Sequence, residues 1–315
     1  MTRALLFPGQ GSQYIGMGKD LAESFLEARE VFEEVDDILN QKLSRLMFEG
    51  AESDLNLTQN TQPALMAVSM ALVRILTRQG GFELDKICHY VAGHSLGEYS
   101  ALAAAGALEL ADTARLLRLR GQAMQRAVPV GIGSMAAILG LDFADIKMLA
   151  AEAAGTEVCQ AANDNSPGQV VISGHKNAVE MAIALATARG AKKAVMLPVS
   201  APFHCTLMAP AAHEMARALA DTVIRPPCVP VVANVTARAV TEPPEIRTLL
   251  VDQITGVVRW RESVLWMKEQ GVEEMVEIGA GKVLSGLVRR IDKDIAVSFV
   301  GTPEQVDTLI ETLKG

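Results

Sequence analysis

Clustered cysteines, excess positive charge and long membrane-like apolar runs are all missing from this 315-residue chain, and each absence closes a class of function. The four cysteines, Cys88, Cys159, Cys205 and Cys228, stand far apart and form neither a C-x-x-C pair nor a cluster with histidine. No zinc site, redox dithiol or other metal centre is expected from them, and reduced thiols in a cytoplasmic protein are the simplest reading. A net charge of -8 supplies none of the overall basic surface that general binding to nucleic acid or an anionic membrane requires. The longest stretch without Asp, Glu, Lys or Arg, residues 194–213, holds three prolines and two histidines, so it cannot be a membrane helix. The first apolar segment is too short for a signal peptide and runs straight into Pro8-Gly9. Gly9-x-Gly11 has no third glycine, and no Gly-Lys-Ser/Thr occurs, so neither a dinucleotide fingerprint nor a P-loop is present and no cofactor is expected.

What the chain has in quantity is apolar residues: half are hydrophobic and 21% charged, the balance of a well-packed globular protein. Its length predicts two domains, or one with a substantial insert. Strands are expected at 4–7, 87–92, 229–234 and 274–278, with helices at 20–39, 62–78, 96–105, 112–127, 214–220, 244–254, 261–270, 283–290 and 304–313. Between Pro129 and Pro198 the order becomes strand 134–139, helix 142–154, strands 158–162 and 169–173, helix 176–189, strand 193–199. That is the β-α-β-β-α-β order of a ferredoxin-like unit. The expected architecture is therefore an α/β large domain, residues 1–128 with 199–315, built on a mainly parallel sheet, with residues 129–198 inserted as a small subdomain. Residues 163–168 read as a turn cluster between two strands of that insert.

One stretch carries chemistry on its face. An apolar run stops at Gly93, and Gly93-His94-Ser95-Leu96-Gly97 then leads into a helix-forming run, which fits the strand–turn–helix nucleophile elbow G-x-S-x-G. Ser95 is presented at a helix N-terminus, and the amide of Leu96 can meet a developing oxyanion. A serine nucleophile needs a base, and the chain has five histidines. His94 adjoins the serine and should face away, His89 begins a strand, His175 lies in a turn and His213 on a helix. His204 follows a strand on a proline-fixed loop and is the favoured base. Of the arginines on the 112–127 helix, Arg115, Arg118 and Arg126 are expected at the surface, whereas Arg120 is turned away from Arg118 and lies one turn from Met124.

These residues resemble a known family. Phe7-Pro8-Gly9-Gln10-Gly11-Ser12-Gln13, Thr61-Gln62-Pro63-Ala64, the Ser95 elbow with Glu98, Arg120-Gly121, residues 165–172 beginning Asn165-Ser166-Pro167-Gly168, His204-Cys205-Thr206-Leu207-Met208, Gln253, and residues 277–284 are similar to the malonyl-CoA:acyl carrier protein transacylases. The resemblance spans nearly the whole length. It implies an α/β-hydrolase-like large domain with a ferredoxin-like insert, Ser95 as nucleophile and His204 as base. It further implies an oxyanion hole from the backbone amides of Gln10 and Leu96, and a Gln253 carbonyl that orients His204. Arg120 would hold the free malonyl carboxylate, with Met124, Asn165 and Phe203 also lining the substrate site. Phe203 would crowd the α-carbon, or else simply anchor its loop. Ala280, where proline is common, and Thr255-Gly256-Val257 after Gln253 depart from the family pattern.

The implied partners are malonyl-CoA and an acyl carrier protein, the implied state a monomer. Carrier proteins are acidic, so Arg189, Lys192, Lys193, Lys282, Arg289 and Arg290 are candidates for a docking patch. The alternatives are a serine thioesterase or esterase, which would deliver the acyl group to water, a non-enzymatic binding protein, and a loader of polyketide carrier proteins.

Overall fold

Ten strands form two sheets in the computed structural model, which describes residues 2–199 and 201–314. In chain order they are β1 (Arg3–Phe7), β2 (Tyr90–Gly93), β3 (Gly133–Leu139), β4 (Cys159–Ser166), β5 (Gln169–His175), β6 (Lys193–Met196), β7 (Val231–Ala233), β8 (Arg238–Val240), β9 (Glu274–Ile278) and β10 (Ala296–Val300). The larger sheet has the order β10-β9-β1-β2-β7-β8 and is parallel except for the β7–β8 pair. Its central strands are apolar at nearly every position because helices cover both faces, so no alternation with polar residues is possible. This is an α/β-hydrolase-like architecture.

The smaller sheet, β4-β5-β3-β6, is antiparallel. One face packs on the helices Phe143–Ala154 and Lys176–Ala188 around its own core, which includes Ile138, Leu149 and Ile172. On the other face Met135, Ala162 and Val171 join the main core. The backbone also crosses between the two sheets, since Asp164 donates its amide to the carbonyl of Val258 and Val258 donates to Ala162, both at 2.9 Å.

Several boundaries differ from expectation. Residues 163–166 belong to β4 and only Pro167-Gly168 turns; two register shifts in the β4–β5 pairing absorb the polar residues that had suggested a loop. The 87–92 segment divides into a short helix, Leu84–Ile87, and β2, an ambiguity that a short apolar run cannot resolve. Helix Thr58–Arg78 starts a turn before Pro63, and helix Ala209–Ala220 starts at the Pro210 turn. Strand β6 stops at Met196, two residues before Pro198, which has no amide to donate. Ser200, within the expected loop before His204, lies outside the described residues. Helices Leu43–Glu49 and Glu52–Leu55 and strands β8 and β10 were not anticipated; each is too short to show a period.

Candidate active site

In the parallel sheet β1 lies beside β2 with Phe7 opposite Gly93, and β7 flanks β2 on the other side. Residues that follow these strands therefore emerge together at the carboxyl edge, where open α/β sheets place their ligands. They are Gln10 after β1, Ser95 after β2 and Asn234 after β7. The turn at Ser95 is held by close approach. A Cβ at Gly93 would lie 1.9 Å from the Gly97 carbonyl group, and one at Gly97 would lie 2.2 Å from the Phe7 oxygen. Ser95 itself is left-handed, with φ of 54°, a conformation a non-glycine residue adopts only where its surroundings impose it. The side-chain oxygen of Asn234 does part of that by accepting the Ser95 amide at 2.8 Å, while its Nδ2 donates to the Gly93 carbonyl at 2.7 Å.

Three further elements bring side chains to Ser95. The His204 ring, on the loop before helix Ala209–Ala220, has Nε2 2.7 Å from Ser95 Oγ. Its Nδ1 is 2.8 Å from the main-chain oxygen of Gln253, in the last turn of helix Pro243–Thr255. Carbonyls in a last helical turn have no intrahelical donor, so that oxygen is free for the imidazole. Burial first, and then the charge of Arg120, push His204 down to about 3, so the ring is neutral at neutral pH. Because a carbonyl only accepts, Nδ1 carries the proton and Nε2 presents a lone pair to the serine hydroxyl.

Arg120, on helix Leu110–Ala127, is 1% exposed. Its Nη2 donates to Ser95 Oγ at 3.1 Å and to Gln253 Oε1 at 2.9 Å, and its Nη1 to Gln62 Oε1 at 2.8 Å. Nε is buried without a hydrogen-bond partner among the described residues, and the Tyr99 ring lies 5.7 Å from the guanidinium carbon. The result is a buried cation whose hydrogen bonds all go to neutral oxygens, at the side of a serine.

The other expected residues are placed as follows. Met124 is buried one turn beyond Arg120, its sulfur 3.8 Å from Gln62 Nε2. Phe203 is buried directly before His204. The Asn165 side-chain oxygen is 2.8 Å from His94 Nε2, so His94 does not point idly away; it links the elbow to β4. No protein acceptor among the described residues takes the backbone amide of Gln10 or Leu96. Gln62, Asn234 and Glu98 complete the constellation. Gln62 and Glu98 fall within the quoted motifs, but only their tertiary partners show what they hold. Arg118, expected at the surface, is half-buried, with Nε and Nη2 buried without a hydrogen-bond partner among the described residues. The described residues contain no group of three or more potential metal ligands, and no helix is long and apolar enough to cross a membrane.

Two of the expected cations border the β4–β5 hairpin. Lys192 packs against Gly140, Gly140 donates its amide to the Gly168 carbonyl, and Arg290 Nη1 lies 2.6 Å from Gln169 Oε1.

Fold and site together define an acyltransferase. The profile of the acyl transferase domain matches residues 4–314. The malonyl CoA-acyl carrier protein transacylase of Escherichia coli (strain K12) is 48% identical over 308 residues, covering 98% of each chain. The acyl-carrier-protein-S-malonyltransferase of Bartonella henselae superposes with a TM-score of 0.98 at 55% identity, covering all of both chains. A malonyl-transacylase solved in complex with a type II PKS acyl-carrier protein has a TM-score of 0.96 at 43% identity, covering 99% of this chain and 100% of that one. The chain belongs to the malonyl CoA-acyl carrier protein transacylase family.

Proposed function

We propose that this chain carries a malonyl group from malonyl-CoA to the phosphopantetheine thiol of an acyl carrier protein, through a malonyl ester on Ser95, and so supplies extender units for fatty acid synthesis. In the first half-reaction Ser95 Oγ attacks the thioester carbonyl while His204 Nε2 takes its proton. The oxyanion is met by the amides of Gln10 and Leu96, and the proton passes from His204 to the departing coenzyme A thiolate. The carrier thiol then attacks the ester with the same groups in reversed roles, which makes the reaction ping-pong. The Gln253 carbonyl holds the imidazole in the tautomer that this requires.

The observation that carries the reading is the convergence of His204 Nε2 and Arg120 Nη2 on one hydroxyl, at 2.7 and 3.1 Å. In a malonyl group one methylene separates the reacting carbonyl from the carboxylate, so a guanidinium that recognises that carboxylate must stand beside the nucleophile. An ordinary esterase has no use for it. Phe203 and Met124 would close the pocket around the methylene, and Asn165 would line it from the insert. No cofactor is needed, since base, oxyanion donors and anion site are all side chains or backbone.

The same reading takes residues 129–198 as an inserted subdomain roofing the cleft, the basic surface through Lys192 and Arg290 as the docking face for the acidic carrier, and the protein as a cytoplasmic monomer. A polyketide carrier is the second reading, supported by the relative whose complex contains one. Intact-protein mass spectrometry with malonyl-CoA tests the proposal. A malonylated enzyme is expected, absent in Ser95→Ala, discharged by carrier protein with malonyl appearing on the carrier. Free malonate without malonylated carrier would mark a hydrolase, and no acyl-enzyme at all would mark a binding protein.

A further inference from the structure

Glu98 lies one helical turn after Ser95, is 2% exposed, and belongs to none of the steps above. Its Oε2 accepts two hydrogen bonds, from the Asn234 amide at 3.0 Å and from Gln253 Nε2 at 2.8 Å. An amide donates through nitrogen and accepts through oxygen, so a carboxylate holding Gln253 Nε2 turns Gln253 Oε1 the opposite way. That oxygen is the one that accepts Arg120 Nη2 at 2.9 Å. A single glutamine side chain thus joins the buried carboxylate to the buried guanidinium, while its main chain holds His204.

Resting on the reading that Arg120 binds the malonyl carboxylate, we propose that Glu98 is a positioning residue that fixes the Gln253 amide toward Arg120 and acts as that cation's counter-charge until the malonyl carboxylate replaces it, when Glu98 becomes protonated. Two anions and one cation cannot share a desolvated site without cost, and a carboxyl group escapes by taking up a proton from solvent. The arrangement allows this, because both donors bind Oε2 and a proton on Oε1 breaks neither bond. Burial pushes Glu98 up to about 7 in the free protein, against the opposing effects of the Asn234 amide, Gln253 and the Arg120 charge. The titratable groups that face it are Arg120 from helix Leu110–Ala127 and Tyr99 from its own helix. The elements at β7 and helix Pro243–Thr255 present the amides of Asn234 and Gln253, and β1, β2 and helix Thr58–Arg78 bury only uncharged side chains against the elbow helix.

The test is kcat/KM for malonylation of Ser95 between pH 6 and 8.5, which reports groups of the free enzyme. If ionised Glu98 must take up a proton when malonyl binds, kcat/KM falls as pH rises through about 7, to about thirtyfold less at pH 8.5 than at pH 6. Glu98→Gln keeps an acceptor oxygen for both donors and removes the charge, so its profile should be flat and stay near the wild-type value at pH 6. Glu98→Ala leaves the Gln253 amide held mainly by the Ser95 carbonyl, 3.0 Å from its Nε2, and without its charged acceptor the KM for malonyl-CoA should rise at every pH. A Glu98→Gln profile that retains the wild-type fall, or a folded Glu98→Gln protein as impaired as Glu98→Ala throughout, overturns the inference. Absence of Ser95 malonylation in the wild type would instead refute the transfer reading itself.

Discussion

On the proposed reading, Arg120 carries the substrate specificity at the scale of a residue. Its guanidinium is desolvated and its hydrogen bonds go to neutral oxygens, so a substrate carboxylate would be the first charged group to bond it directly. Losing such a partner for a desolvated carboxylate costs about 2 to 5 kcal/mol. Arg120→Ala should therefore remove the preference for malonyl-CoA over acetyl-CoA in competition assays while Ser95 remains acylable; an unchanged preference would exclude Arg120 as the carboxylate partner. His204 yields a pH prediction. Its folded-state value, about 3, lies far below the ordinary 6.5, so between these two values the unfolded chain holds a proton that the folded one does not. Stability from this group is complete above 6.5 and is lost as pH falls, by about 1.4 kcal/mol per pH unit. Urea unfolding at pH 6.5 and 5.5 should show an extra loss of about 1 kcal/mol in the wild type relative to His204→Gln, whose side chain does not titrate. Residues with unusual local chemistry, Ser95 between glycines, His204 after prolines and Arg120 apart from its neighbours, were legible in the sequence. Asn234 was not, because what it does arises only when β7 settles beside β2, 139 positions after the amide it holds.

At the scale of the element, the elbow is a packing device before it is a chemical one. Strands β1 and β2 and helix Gly97–Ala104 meet so closely that neither Gly93 nor Gly97 has room for a methyl group, and both obstructing groups are backbone, which cannot rotate aside. Gly97→Ala should cost more than about 4 kcal/mol or prevent folding, the range reserved for substitutions that force the main chain apart. Gly286→Ala, in helix Val283–Ile291 where nothing stands within 4 Å of an added Cβ, should instead stabilise by a few tenths to about 1 kcal/mol. Denaturant midpoints of the two variants check the contrast. Strand–turn–helix order was readable here because glycine spacing and a change of period coincide. The far end of β4 was misread for the converse reason: residues 163–165 carry a turn-like composition, but Asp164 and Asn165 spend their polarity on Arg261 and His94, and such distant partners leave no local trace.

At the scale of the molecule, those same residues attach the smaller sheet to the larger. Asn165 reaches His94 at the elbow, the main chain of Asp164 pairs with Val258, and the Asp164 carboxylate takes three hydrogen bonds from Arg261 on helix Trp260–Glu269, at 2.8 to 3.1 Å. The ion pair is asymmetric, with side-chain exposure of 1% for Asp164 and 31% for Arg261. Removing the arginine strands a buried carboxylate, whereas removing the aspartate leaves a cation that water can still reach. Arg261→Ala should thus destabilise by about 3 kcal/mol and Asp164→Ala by less, with the double variant recovering part of the Arg261→Ala loss. If the clamp also sets the width of the cleft, Arg261→Ala should raise KM for both malonyl-CoA and carrier protein, because Asn165 and the basic surface at Gln169 hang on the same hairpin. Equal destabilisation by the two single changes, in urea melts of all four proteins, would mean that the contact is solvated and that the main-chain pairing with Val258 holds the insert by itself.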